Sequence, residues 1–230
     1  MTQTKPKNKA TPRAKSANQE FKILLALGAG AALIMIAATL LFNRSEQGNT
    51  TISTNDQALL VREDSPTRGP ADAPVTLVEF LDPECEACRA AYPIVEQILE
   101  DYEGRIRYVV RYFPNHNNSV LAVLATEAAG EQGMYWEMQT LLFANQPEWG
   151  EQTTPQTDLF IRYAGELGLD VARFTASLQN PVYLEKAQRD QRDAQALQLR
   201  GTPTFFVNGQ LVYGMNEGSL RGLVDEALGS

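Results

Sequence analysis

The chain of 230 residues is poor in cysteine and histidine, the side chains that bind zinc or cross-link a fold: it has two cysteines and one histidine. A zinc site built on Cys85 and Cys88 needs about two further Cys or His ligands, and the sequence offers only His116. A structural disulfide between the two cysteines would close a ring of four residues, which constrains the unfolded chain very little. These shortages disfavour a zinc protein and a disulfide-stabilised fold without excluding either.

Positive charge is also scarce after the first 22 residues. Those residues hold six Lys and Arg against one acid, Glu20, whereas the remainder holds 14 Lys and Arg against 27 Asp and Glu, a net charge of −13. A nucleic-acid partner needs a basic face for its phosphates. The acidic body of the chain therefore argues against nucleic acid as a partner.

Charged residues are missing altogether from residues 23–42, an apolar run of 20 residues. Because about 20 apolar residues span the hydrocarbon core of a bilayer as a helix, we expect a transmembrane anchor. The alternatives are a buried core helix and a cleavable signal peptide, whose apolar region is normally about 7 to 15 residues long and ends at an Ala-x-Ala-like site. The positive-inside rule places the basic tail, residues 1–22, in the cytoplasm and residues 43–230 outside it, where disulfides persist.

Residues 43–56 are rich in Ser, Thr, Asn and Gln and read as a linker, and residues 57–230 form the predicted domain. Apolar patterning in this domain predicts strands at 57–62, 75–81 and 105–113, and a helix between the last two that closes near Gly104. A helical block follows at about 119–199, with expected starts at Thr154, Asp170 and Asn180. A hairpin turning at Asn208-Gly209 and a helix over 216–228 complete an α/β fold.

Cys85 and Cys88 lie directly after the predicted strand 75–81, at the start of the helix. Cysteines three residues apart share one helix face, so their sulfurs can bond with little movement of the backbone. The free N–H groups and the positive end of the helix dipole favour a thiolate at the first cysteine. We therefore expect Cys85 to act as the nucleophile and Cys88 as the resolving thiol.

The segment FLDPECEAC after a strand, with RGTPTFFVNG more than a hundred residues later, resembles the thioredoxin fold. The helical block between them resembles the DsbA-like thiol:disulfide oxidoreductases of bacterial envelopes, and the match covers about residues 57–230. The resemblance implies that Pro203 is cis, that Thr202 and Pro203 hold the substrate backbone, and that Glu79 is a buried proton relay. It also implies that the redox-active disulfide Cys85–Cys88 serves in place of any cofactor.

His116 has two interpretations: a polar loop residue, or a residue bordering the substrate groove. The Glu86-Ala87 dipeptide departs from the Pro-His of the best-known oxidases, and Asp82 and Glu84 add further acids beside the cysteines. Because like charge opposes ionisation, we expect a less stabilised thiolate and a weaker oxidant than a Pro-His enzyme.

The expected function is that of a membrane-anchored, extracytoplasmic thiol:disulfide oxidoreductase. Its partners would be cysteine-containing secreted or envelope proteins, together with a membrane redox protein that recycles the site. One alternative is a reductase or isomerase fed by a membrane electron carrier. Another, from a different class, is a redox-inactive module that binds peptides without thiol chemistry.

Overall fold

The structure, a computed structural model, describes residues 57–213 and 215–229. The predicted tail, anchor and linker, residues 1–56, lie outside this part of the chain. Within it, no helix combines the length and the apolar character needed to cross a membrane.

Five strands and eight helices are found in the described residues, in the order β, β, α, β, then six helices, then β, β, α. The strands are β1 (Thr67–Arg68), β2 (Val75–Leu81), β3 (Ile106–Tyr112), β4 (Thr204–Val207) and β5 (Gln210–Tyr213). The helices are α1 (Glu86–Asp101), α2 (Ser119–Gly130), α3 (Tyr135–Ala144), α4 (Gln146–Trp149), α5 (Thr157–Glu166), α6 (Val171–Ser177), α7 (Pro181–Ala196) and α8 (Glu217–Leu228).

The five strands form one sheet in the order β1-β3-β2-β4-β5. Central strand β2 pairs in parallel with β3 and antiparallel with β4, where Phe80 lies opposite Thr204. The predicted hairpin is confirmed: Asn208 and Gly209 have φ values of 48° and 82° between β4 and β5, as a tight type I′ turn requires. The register brings the segment that precedes β4 to the end of β2 from which the cysteine motif emerges.

Two sequence-based expectations are wrong. Residues 57–60 form a turn and residues 61–62 have no regular structure, so no edge strand forms there; β1 is an edge strand instead and pairs antiparallel with β3. The predicted helix start at Thr154 is also wrong, because α5 begins at Thr157. Asn118, far away in sequence, accepts a hydrogen bond from the N–H of Gln156 at 3.0 Å, so a tertiary contact takes the place of the local cap. Asp170 and Asn180 are confirmed as helix caps.

Three groups of buried side chains stabilise the fold. One lies between the sheet and helices α1 and α8 and includes Cys88, a second lies within the helical block around Trp149 and Phe160, and a third lies on the other face of the sheet. On that third side α7 is fixed to β3 by a fully buried ion pair in which Arg111 contacts Asp190 at 2.9 Å. The helical block is thereby attached to the same sheet that carries the cysteines.

Candidate active site

Cys85 is the residue that immediately precedes helix α1, and Cys88 lies in the first turn of that helix. The N–H of Cys85 donates to the carbonyl of Asp82 at 3.1 Å, which closes a tight loop between the end of β2 and the helix. Cys85 is half-buried, whereas only 1% of the Cys88 surface is exposed. Both are free thiols, so the structure represents the dithiol state, with one sulfur accessible to a partner and the other shielded.

The environment of Cys85 favours its thiolate. The pKa of Cys85 falls from 9.0 to about 5, mainly because Cys88 donates a hydrogen bond to its sulfur. Burial opposes this decrease, whereas hydrogen bonds from the Thr202 side chain and from the N–H groups of Cys88 and Ala87 lower the pKa further. These are the first free N–H groups of α1, so the helix start acts as the sequence predicts. The Cys85 sulfur lies 3.5 Å from the carbonyl oxygen of Thr202.

Cys88 behaves in the opposite way. Burial raises its pKa well above 9.0, and the hydrogen bond to Cys85 and the charges of Glu79 and Cys85 raise it further. Near neutral pH the pair therefore holds one thiolate and one thiol, with the thiol of Cys88 donating to the thiolate of Cys85. To act as a nucleophile, Cys88 must lose its proton to a nearby base.

Glu79 lies on β2 and is only 3% exposed. Burial raises its pKa from 4.5 to about 7, the charges of Glu96 and Cys85 act in the same direction, and a hydrogen bond from Tyr108 partly opposes them. The Tyr108 hydroxyl donates to Oε2 of Glu79 from the neighbouring strand β3. A buried carboxyl that titrates near neutral pH and acts electrostatically on Cys88 is suited to exchange protons with it.

The Thr202–Pro203 peptide bond is cis, as the resemblance implies. Pro203 is buried and Thr202 is partly exposed, and β4 begins at the next residue, Thr204. The contact between the Thr202 carbonyl and the Cys85 sulfur shows that the two distant segments meet at one site.

From the sequence, Asp82 and Glu84 were expected to oppose the ionisation of Cys85, but in the structure both carboxylates bind hydrogen-bond donors. Both are buried, at 0% and 2% exposure. Glu84 accepts hydrogen bonds from the N–H groups of Asn118 at 2.6 Å and Glu151 at 2.9 Å, and Asp82 accepts one from His116 at 2.6 Å. These acids connect the motif loop to the helical block, and the pKa of Cys85 is lowered despite them.

Gln146 is a site residue that sequence reasoning missed. Its buried amide nitrogen donates to the carbonyl of Pro83 at 2.8 Å and to the carbonyl of Cys85 at 3.1 Å. Only the folding of α4 against the motif brings it there, and no local pattern in the sequence marks it. In the described part of the chain, no three Cys, His, Asp or Glu side chains are arranged to hold a metal ion.

A family model described as thioredoxin matches residues 62–226. The chain belongs to the thioredoxin family. Among solved structures, this thioredoxin-family chain is similar to a thioredoxin-like oxidoreductase from Silicibacter pomeroyi, with 29% identity, a TM-score of 0.65, and coverage of 78% of this chain and 99% of that one. It also shares its fold with the thiol-disulfide exchange protein α-DsbA2 from Wolbachia pipientis, with 21% identity, a TM-score of 0.66, and coverage of 75% and 92%.

Both neighbours share the fold of this thioredoxin-family chain, and their names describe a thioredoxin-like oxidoreductase and a thiol-disulfide exchange protein. Among curated proteins, the Na⁺/H⁺ antiporter NhaA of Herminiimonas arsenicoxydans is 40% identical over 147 residues, which is 64% of this chain and 23% of that protein. The thioredoxin-family chain thus matches less than a quarter of the length of this curated relative.

Proposed function

We propose that the chain is an extracytoplasmic thiol:disulfide oxidoreductase in which Cys85 exchanges disulfides with cysteine-containing secreted or envelope proteins. The observation that carries the proposal is the pairing of a half-exposed Cys85, whose pKa is lowered to about 5, with a buried Cys88 whose pKa is raised. A thiolate at neutral pH is the reactive form in disulfide exchange. A buried thiol one turn away is suited to resolve the mixed disulfide.

The exchange proceeds in two balanced steps. In the reductive direction the Cys85 thiolate attacks a substrate disulfide, a new S–S bond joins Cys85 to the substrate, and the departing sulfur leaves with the electron pair and takes up a proton. Cys88 then gives its proton to Glu79 and attacks the Cys85 sulfur, which releases the second substrate thiolate. The substrate gains two electrons and Cys85–Cys88 becomes a disulfide; oxidation of a substrate is the same sequence in reverse.

Thr202 and Pro203 would hold the substrate backbone beside Cys85, and the redox-active disulfide makes a further cofactor unnecessary. The apolar residues 23–42 would anchor the chain in the membrane, with the tail in the cytoplasm and the thioredoxin-family domain outside. A matching segment within relatives named as Na⁺/H⁺ antiporters fits a domain that works beside a membrane. The antiporter name describes the whole relative, whereas the matching segment is only 23% of its length, so we propose no antiporter activity for this chain.

The direction of electron flow depends on the membrane redox protein that recycles the site. Rapid acid quenching of cells, followed by alkylation, measures the state of Cys85 and Cys88. A mostly oxidised pair identifies an oxidase, and a mostly reduced pair identifies a reductase or isomerase.

The function itself is tested with the full-length chain in detergent, equilibrated in glutathione buffers. We expect reversible cycling between dithiol and disulfide, and we expect Cys88→Ser to accumulate mixed disulfides that Cys85→Ser lacks. A chain that binds peptides but does not cycle would be a redox-inactive binding module, and the proposal would be wrong.

A further inference from the structure

His116, the single histidine of the chain, is held beside the cysteine motif by a buried partner. Its Nδ1 lies 2.6 Å from Oδ2 of Asp82, which is fully buried three residues before Cys85. A carboxylate oxygen only accepts hydrogen bonds, so Nδ1 carries the hydrogen. The imidazole side chain is 46% exposed, so it borders the solvent on the side of the motif loop.

Asp82 is itself fixed by three further donors. Oδ1 accepts from the N–H of Glu84 at 2.9 Å and from the hydroxyl of Ser119 at 2.5 Å, and Oδ2 accepts from the N–H of Asn115 at 2.7 Å. The same Ser119 hydroxyl accepts from the N–H of His116 at 3.1 Å. Both the ring and the backbone of His116 are therefore held in place, and little side-chain freedom remains to be lost when the ring acts on a neighbouring charge.

Asp82 joins this imidazole to the nucleophile, because its carboxylate binds the ring and its carbonyl accepts the N–H of Cys85 at 3.1 Å. Partial burial lowers the pKa of His116, but the hydrogen bond and charge of Asp82 and the charges of Cys85 and Glu84 outweigh it, so the pKa is raised above 6.5. The interaction between two ionisable groups is reciprocal. If the Cys85 thiolate favours the imidazolium, the imidazolium favours the Cys85 thiolate to the same extent.

We propose that the His116 imidazolium, positioned by Asp82, stabilises the Cys85 thiolate from a loop outside the cysteine motif. The dipeptide Glu86-Ala87 brings no cation to the motif, and His116 supplies one from the connection between β3 and α2. A stabilised thiolate stabilises the dithiol state and makes the disulfide a stronger oxidant. The effect on redox equilibrium rests on the proposed function, whereas the effect on Cys85 ionisation does not.

The test uses His116→Asn in the full-length chain, because asparagine places an amide nitrogen near the position of Nδ1 and so keeps a donor to Asp82 without the charge. We expect the pKa of Cys85, measured from the pH dependence of iodoacetamide alkylation, to rise by about one unit, a tenfold change in the ionisation equilibrium. The equilibrium constant with glutathione should shift about tenfold towards the disulfide, or about 30 mV. Above the pKa of His116 the wild-type imidazole is neutral, so the glutathione equilibrium constants of His116→Asn and wild type should become more similar.

Two variants separate charge from structure. His116→Lys keeps a cation at all relevant pH values, so it should retain the low pKa of Cys85 and abolish the pH dependence contributed by histidine. Asn117→Gln, an exposed change in the same loop, should leave both measurements unchanged.

The proposal is overturned if a folded His116→Asn variant keeps the pKa of Cys85 and the glutathione equilibrium within twofold of wild type, or if His116→Lys behaves like His116→Asn. A wild-type chain that does not cycle with glutathione would refute the proposed function instead. In that case the alkylation profile still reports whether His116 acts on Cys85.

Discussion

Replacing Glu79 with glutamine should prevent the loss of stability that the wild-type chain undergoes as the pH rises from 4.5 to about 7. In the reduced chain the pKa of Glu79 rises from 4.5 to about 7 because the carboxyl is buried, so the folded state disfavours the carboxylate relative to the unfolded state. Below pH 4.5 the group is protonated in both states and contributes no pH dependence. As pH rises from 4.5 to about 7 only the unfolded state ionises, and stability falls by about 3 kcal/mol.

Glutamine cannot ionise, and its carbonyl oxygen still accepts the hydrogen bond from Tyr108. Glu79→Gln should therefore match wild type near pH 4 and exceed its free energy of unfolding by about 3 kcal/mol near pH 8. Denaturant unfolding of the reduced full-length chain, followed by tryptophan fluorescence from pH 4 to pH 8.5, measures this difference. Glu86→Gln, an exposed change on α1, is the control and should shift stability by less than about 0.5 kcal/mol.

A difference between wild type and Glu79→Gln that does not vary with pH, or that grows towards acid, would refute this account of the buried carboxyl. Oxidation supplies a second check. Disulfide formation removes the Cys85 charge, which is one cause of the raised pKa of Glu79, so the midpoint of the difference curve should move to lower pH in the oxidised chain.

Three further predictions concern other parts of the site and fold. Alkylation of reduced Cys85 should show half-maximal rate near pH 5, and a midpoint near 9 would contradict the assigned thiolate. Gln146→Leu should lower the free energy of unfolding by about 1–3 kcal/mol, because the Pro83 carbonyl loses its donor and the Cys85 carbonyl keeps only the N–H of Arg89; an unchanged denaturation midpoint would show that the contact is dispensable. Arg111→Met should lower stability by about 3 kcal/mol, because it removes the buried cation shared by Asp190 and Asp193 and leaves Asp190 only its pair with partly exposed Arg189. Arg162→Met, at an ion pair with 61% and 55% exposed side chains, should cost less than about 1 kcal/mol.

The order of elements was predictable where local chemistry is sufficient. The apolar run 75–81, the helix after it and the Asn208-Gly209 turn each follow from patterns that act over a few residues. The predictions failed where a distant group competes with the local signal. Asn118 supplies the contact at the start of α5 that was expected from Thr154, and Arg62, in the expected edge strand, instead donates to Asp193 on α7 at 2.9 Å.

In the site too, some features could be predicted from the sequence and others depend on contacts between distant residues. The position of Cys85 and Cys88 at a helix start could be predicted from their spacing, and the burial of Glu79 and the cis Thr202–Pro203 bond from a family resemblance. The roles of Asp82 and Glu84 could not, because a carboxylate in a sequence reads as a free negative charge. Only the folded chain shows that backbone N–H groups and His116 surround these two carboxylates.

By itself, the sequence determined the α/β order, the cysteine pair at a helix start and the acidic character of the domain, since spacing, periodicity and composition are properties of the chain alone. Only the tertiary structure showed that Asp82 binds His116 and that the amide of Gln146 binds the carbonyls of the motif loop. The physical reason is that pKa values and hydrogen-bond partners depend on burial and on distances between residues far apart in the chain. Those distances exist only once the helical block has packed against the sheet.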